Sequence, residues 1–270
     1  MDNRPIGVFD SGLGGLTAVK ELLEILPQEN IIYFGDTGRV PYGSRSRETI
    51  LKYAAQDIHF LKENRVKLIV AACGTVSSVI GGAGQELGLP FVDVLHPTAL
   101  AASKATRNKR VGVIGTTATI RSGSYRRALA EIDPSIVVYD RDCPLFVPLV
   151  ENGFVDPEDP VPCMVAERYL TELRDAGVDT LIMGCTHYPI ISRVIGAVMG
   201  RDVTLIDSGR ETAFFCGELL REQGLLCDRP TAGDCSFYVS DHVENFSHIA
   251  GVFLGRNVDQ DVRQIDIDRY

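Results

Sequence analysis

The 270-residue sequence has no apolar run approaching the roughly 20 residues that a membrane span needs. Strand-like patterning already begins at Pro5, which leaves no room for a secretory leader, so a cytoplasmic protein without a membrane partner is expected. A clustered basic face is missing too. The net charge is −9, and the basic runs are confined to Arg39 with Arg45 and Arg47 and to Arg107 through Arg110, which read as solvated loop and helix ends. Nucleic acid is therefore not an expected partner. The seven cysteines, at 73, 143, 163, 185, 216, 227 and 235, are odd in number and lack disulfide-framework spacing, so free thiols are the default. The paired-cysteine knuckle of a structural zinc site is absent, as are the dinucleotide glycine spacing and the Gly-Lys-Ser/Thr of a phosphate loop. With 45% hydrophobic and 23% charged residues, neither disorder nor a collagen-like or coiled-coil class is favoured.

What is present is an alternation of strand-like apolar runs with amphipathic helical patterns, the signature of an α/β protein with mostly parallel sheets flanked by helices. Strands are expected at Ile6–Phe9, Asn30–Phe34, Lys67–Ala72, Phe91–Leu95, Arg110–Gly115, Ser135–Tyr139, Val178–Met183, Thr204–Asp207 and Cys235–Ser240. Helices are expected from Arg47 toward Asn64, from Pro97, and up to Ala176 and Gly255. The run from Arg110 to Gly115 followed by Thr116-Thr117-Ala118-Thr119 echoes Gly7-Val8-Phe9 followed by Asp10-Ser11, which suggests two similar lobes. Because the last strand and helix have no partner in the second lobe, they are assigned to the first. The expected domains are 1–97 with 208–270, and 98–207.

Reactive groups collect where strands end, the place where ligands bind in open α/β sheets. One strand runs into Cys73-Gly74-Thr75 and another into Gly184-Cys185-Thr186-His187-Tyr188-Pro189. The turn Asp10-Ser11-Gly12-Leu13-Gly14-Gly15 brings a carboxylate, a hydroxyl and backbone amides to a helix N-terminus suited to an anionic group. The loop Arg39–Ser46 is long, polar and glycine-containing, and the apolar run from Cys143 brings in Glu151. Single buried cysteines are more often packing than chemistry, and Cys143, Cys163, Cys216, Cys227 and Cys235 are read that way. Cys185 with His187 could be a zinc pair, but without a knuckle no metal is expected. His187 could instead orient the neighbouring thiol, and Asp10 could cap the helix that follows it.

Laid end to end, Val8-Phe9-Asp10-Ser11-Gly12-Leu13-Gly14-Gly15, Tyr33-Phe34-Gly35-Asp36 with Val40-Pro41-Tyr42-Gly43, Ala72-Cys73-x-Thr75 and Gly184–Pro189 resemble the glutamate racemases of the aspartate/glutamate racemase family. The likeness runs from Ile6 to about Gly255. It implies two pseudo-symmetric lobes with the active site between them, glutamate as substrate, no cofactor, and supply of D-glutamate for peptidoglycan and cell wall biogenesis. By resemblance Cys73 and Cys185 are the catalytic pair, each serving as base in one direction and acid in the other, with Asp10, Glu151 and His187 as supporting acid–base groups. The same likeness assigns substrate contacts to Asp10, Ser11, Pro41, Tyr42, Gly43, Gly74, Thr75, Thr117, Thr186 and His187. Elementary chemistry agrees. Inverting an α-carbon needs a base on one face and an acid on the other, and a thiol with an ordinary pKa of about 8.5 serves as either. One position departs from the pattern: Gly74 stands where the family usually has asparagine, so a polar contact is expected to be missing. Rival readings are a racemase for aspartate or another amino acid, and a catalytically silent binding protein of the same fold. Assembly stays open, with a homodimer allowed.

Overall fold

The computed structural model describes residues 2–81, 87–255, 258 and 262–270. Its strands are β1 (Ile6–Asp10), β2 (Ile31–Gly35), β3 (Leu68–Ala71), β4 (Phe91–Asp93), β5 (Arg110–Gly115), β6 (Val137–Asp142), β7 (Thr180–Met183), β8 (Thr204–Asp207), β9 (Cys235–Val239) and β10 (Val262–Gln264). Its helices are α1 (Leu16–Ile25), α2 (Arg47–Glu63), α3 (Gly74–Ile80), α4 (Leu95–Ala105), α5 (Thr117–Ser122), α6 (Ser124–Ile132), α7 (Phe146–Glu151), α8 (Pro160–Asp175), α9 (Ser192–Met199), α10 (Ser208–Glu222) and α11 (Val243–Leu254).

The strands form two sheets, ordered β10-β9-β2-β1-β3-β4 and β6-β5-β7-β8, and every pairing is parallel. A central parallel strand is covered by helices on both faces, so it is written almost wholly in apolar residues. Every residue of β1, β3 and β7 is buried, which explains why their runs were continuous rather than alternating. The repeat suspected from sequence is real at the level of topology. In each sheet four strands run in the order second, first, third, fourth, and the first sheet is extended by β9 and β10. Pairing β9 with β2 places the late strand in the first sheet.

Local chemistry sets several boundaries. Ser46 accepts a hydrogen bond from the Thr49 amide at the start of α2, Asp159 accepts from Val161 ahead of Pro160 in α8, and Asp207 accepts from Gly209 and Arg210 at α10. Three expectations shift. The strand expected to reach Leu95 stops at Asp93, whose carboxylate accepts from the amides of Leu95 and His96 and starts α4 two residues before Pro97. The strand expected at Ser135–Tyr139 lies at Val137–Asp142, because β6 is a sheet edge where Asp140 and Arg141 are tolerated. Finally, β10 adds an edge strand beyond Gly255, where the chain was expected to have no further element. α10 packs on both α1 and α4, and one apolar core spans both sheets, from Val8, Leu16 and Leu22 to Met183, Tyr188 and Leu220. No described helix is long and apolar enough to cross a membrane.

Candidate active site

The carboxyl edges of the two sheets face one another across a cavity of about 640 Å³, within the range of ligand pockets. Every residue that the resemblance assigns to catalysis or to substrate contact lines it, from Asp10 and Ser11 through Pro41, Tyr42, Gly43, Cys73, Gly74 and Thr75 to Thr117, Glu151, Cys185, Thr186 and His187. Register shows how symmetric the scaffold is. Gly7 pairs with Ile69 and Gly112 with Leu181, and each cysteine lies four residues beyond its partner in that pair. Cys73 and Cys185 therefore leave equivalent strands at equivalent positions.

Close backbone packing holds the two edges together. A Cβ on Gly14 would run into Thr186 Oγ1 and the His187 ring, so only glycine lets this turn lie against the second sheet. Thr17 Oγ1 donates to the Thr186 carbonyl at 2.9 Å, also across the seam. At the same strand end, a Cβ on Gly74 would sit 2.7 Å from the Gly184 carbonyl oxygen. The asparagine position is therefore occupied by a glycine packed against the opposite strand end, where any side chain would first have to displace a backbone oxygen.

The two thiols have different company. Cys73 is buried, with its Sγ 3.5 Å from Ser11 Oγ. Burial first, and the Asp10 carboxylate second, push its pKa up to about 12. Asp10, 2% exposed, is itself raised by burial, an effect opposed by the amides of Gly15 and Gly12 and by the charge of His187. It accepts from the Gly12 amide at 3.1 Å inside the turn, and the Gly15 amide just ahead of α1 also favours its charged form. Tyr33 fixes the same turn by donating to the Gly12 carbonyl at 2.9 Å. Across the cavity, Cys185 Sγ lies 3.9 Å from His187 Nδ1, and His187 Nε2 lies 3.0 Å from Glu151 Oε1. Burial alone would drive the imidazolium to lose its proton. The Cys185 sulfur and the Glu151 carboxylate outweigh that and raise His187 to about 10. Phe253 of α11 packs its ring at right angles to His187, at 5.7 Å between centroids.

This set of groups can hold a proton on either side of one cavity. A sequence profile of the Asp/Glu/Hydantoin racemase family matches residues 6–215. The chain belongs to that family. Glutamate racemase of Geobacter metallireducens is 47% identical over 268 residues, covering 98% of this chain and 97% of its relative. That of Thermoanaerobacter pseudethanolicus is 43% identical over the whole of both chains. The solved structure of glutamate racemase from Francisella tularensis in complex with D-glutamate superposes with a TM-score of 0.91 at 42% identity, each chain fully covered. The resemblance and the two-lobed fold expected from sequence are thereby borne out, and the chain is a racemase, an isomerase by class.

Within this racemase site some side chains do other work than the family pattern suggests. Tyr42 lines the cavity, yet its hydroxyl lies against Asp36 and Asp57. Thr117 donates to Asp142 at 2.8 Å. Sequence reasoning passed over Thr116 and Thr119, which line the cavity with hydroxyls 3.0 Å apart, and Arg121, a cation of its lining. The signal for the threonines was available in the hydroxyl run that follows β5. Among the described residues no group of three His, Cys, Asp or Glu is placed to hold a metal ion.

Proposed function

We propose that the chain interconverts L- and D-glutamate by proton transfer at the α-carbon, with Cys73 and Cys185 working from opposite faces. One thiolate removes the α-proton, the carbanion forms between the two sheets, and the opposing thiol returns a proton to the other face. Reversal exchanges the roles, so a turnover leaves the pair in swapped protonation states. Asp10 is the proton acceptor placed to reset Cys73, because its own affinity for a proton is raised. His187 relays between Cys185 and Glu151, and as an imidazolium it gives the Cys185 sulfur a cation against which to develop charge. Amides of the Asp10–Gly15 turn and the hydroxyls of Ser11, Thr75 and Thr186 are suited to the substrate's carboxylates. We assign the lobes to 1–97 with 208–270 and to 98–207, and the product to bacterial peptidoglycan synthesis in the cytoplasm.

The observation that carries this reading is the placement of two free thiols at equivalent strand ends of opposed sheets, each with its own acid–base partner. Incubation with L- or D-glutamate in heavy water tests it. Deuterium should enter the α-carbon of the enantiomer formed, and aspartate in the same assay should exchange far more slowly. Exchange of aspartate but not glutamate would transfer the mechanism to the other substrate, and no exchange at all would leave only a binding protein.

A further inference from the structure

Behind the Val40–Ser44 wall of the cavity lies a buried cluster that proton transfer at the α-carbon does not employ. Asp36 follows β2 and Asp57 sits on α2, and both side chains are 0% exposed. The Tyr42 hydroxyl lies 2.5 Å from Asp36 Oδ2 and 3.1 Å from Asp57 Oδ2. Arg39 donates from Nε to Asp36 Oδ2 at 2.6 Å and from Nη2 to Asp57 Oδ1 at 3.3 Å. Ser240 Oγ donates to Asp36 Oδ1 at 2.7 Å and accepts from the Gly38 amide at 2.8 Å. Among the described residues the other carboxylate near Arg39 is Asp268, 4.0 Å away and largely solvent-exposed.

Counting hydrogens decides the arrangement. A phenol carries one proton, so Tyr42 cannot donate to both carboxylates. If both were ionised, one would meet the phenol oxygen lone pair to lone pair, and two buried negative charges would share a single guanidinium. Asp36 has the shorter phenol contact together with donors from Arg39 and Ser240, which marks it as the charged member. We propose that Asp57 carries a proton and donates it to the Tyr42 oxygen, that Tyr42 donates onward to Asp36, and that this chain fixes the Pro41–Gly43 wall of the substrate cavity. Asp36 and Asp57 are thus positioning residues. Burial and the neighbouring Asp36 charge act on Asp57 in the same sense, raising it well above the usual carboxylate range, with Arg39 and the Tyr42 contact opposing and Asp10 a minor further contribution. The inference rests on glutamate occupying this cavity.

Two measurements test it. Infrared difference spectra between the wild-type protein and Asp57→Asn, both without substrate at neutral pH, should show a protonated-carboxyl C=O band that the variant lacks. Asp57→Asn preserves the pattern, since its amide donates to Tyr42 and its carbonyl accepts from Arg39, and its KM should stay within about twofold of wild type. Tyr42→Phe and Asp57→Leu should raise KM for both enantiomers about tenfold, with kcat much less affected, as expected for loss of hydrogen bonds to a buried charge. Absence of the band, or an Asp57→Asn KM as high as that of Asp57→Leu, would put the charge on Asp57 and overturn the proton assignment. An unchanged KM in Tyr42→Phe would overturn the role in fixing the wall. If Asp57→Leu fails to fold by circular dichroism, Ser240→Ala replaces it and should raise KM about threefold; no change there counts against the proposal. The band does not depend on turnover, so a wild-type protein inactive on glutamate would sink the racemase reading and leave the proton assignment to the spectrum.

Discussion

Cys73 and Cys185 occupy equivalent strand ends, yet the two halves equip them differently. In the aligned rhythm of β1 and β5, Asp10 corresponds to Gly115, so the second sheet has no carboxylate where the first has one. It obtains its acid–base group from His187, two residues past the thiol, and from Glu151 at the end of α7. On the first side burial and a neighbouring buried carboxylate hold the sulfur as a thiol, against the Ser11 hydroxyl, which favours the thiolate. On the second it faces an imidazole that keeps its own proton to about 10. The comparison teaches that a duplicated scaffold can fix where two proton carriers stand while leaving each free to acquire its own means of recharging.

The most damaging way to break the comparison is to remove a carrier. Cys73→Ser and Cys185→Ser should each lower racemisation at least about a thousandfold with the fold intact by circular dichroism, since a serine hydroxyl is far too weak an acid to take over. Near wild-type turnover in either variant would remove that thiol from the mechanism. Removing a supporting group should cost less, about a hundredfold in kcat. Asp10→Asn should impair chiefly the transfer made by Cys73, and His187→Asn that made by Cys185. Because the ratio of kcat/KM values in the two directions is fixed by the equilibrium constant, the asymmetry must be read in separate kcat values, or in isotope effects with α-deuterated L- and D-glutamate. Equal changes for both variants in both directions would refute the one-sided assignment.

The difference between the faces also has a thermodynamic signature. An unfolded histidine titrates near 6.5, so the raised folded-state affinity of His187 stabilises the protein fully below that pH. The contribution declines as pH rises and is lost above about 10. Subtracting the denaturant-unfolding stability of His187→Asn from that of wild type, point by point from pH 6 to 10, should expose a difference that shrinks across this window. Cys73 has a separate window that begins higher, since its pKa is raised to about 12, and it cancels in the subtraction. A difference that grows with pH would mean that His187 is held neutral.

Much of this was legible before any coordinates. Strands buried on both faces must be written as unbroken apolar runs, so β1, β3, β5 and β7 announce themselves, and their carboxyl ends carry Asp10, Cys73 and Cys185. Elements with weak patterns did not announce themselves. β10 has one apolar residue among Val262, Arg263 and Gln264, and the helical period of α7 is masked by Pro148 within six residues. The Asp36–Tyr42–Asp57 cluster was hidden for a different reason. Its members come from a strand end, a turn and a helix, and nothing in the spacing of Asp57 distinguishes it from a solvated helix position. The contact of Gly74 with the Gly184 carbonyl was equally invisible, because a close backbone approach leaves no mark except the glycine itself.

That contact sets up the smallest effect. From the family pattern alone, Gly74→Asn should restore a missing hydrogen bond and lower KM. The structure reverses the sign. A Cβ at position 74 meets a backbone oxygen at 2.7 Å, and backbone cannot rotate aside as a side chain could. Either α3 or the Gly184 strand end must move, which would shift Cys73 relative to Cys185. The asparagine amide can recover part of the loss by reaching the substrate, a gain of about 0.5–1.5 kcal/mol. Gly74→Ala adds the same Cβ without the amide, so the pair of variants separates the two contributions. Gly74→Ala should raise KM about fivefold to tenfold, equivalent to about 1–1.4 kcal/mol, and Gly74→Asn should raise it less. Measured KM values for both enantiomers decide the matter. A lower KM in Gly74→Asn than in wild type would mean that the seam yields readily, and that glycine here leaves a binding contact unmade rather than closing the two halves upon one another.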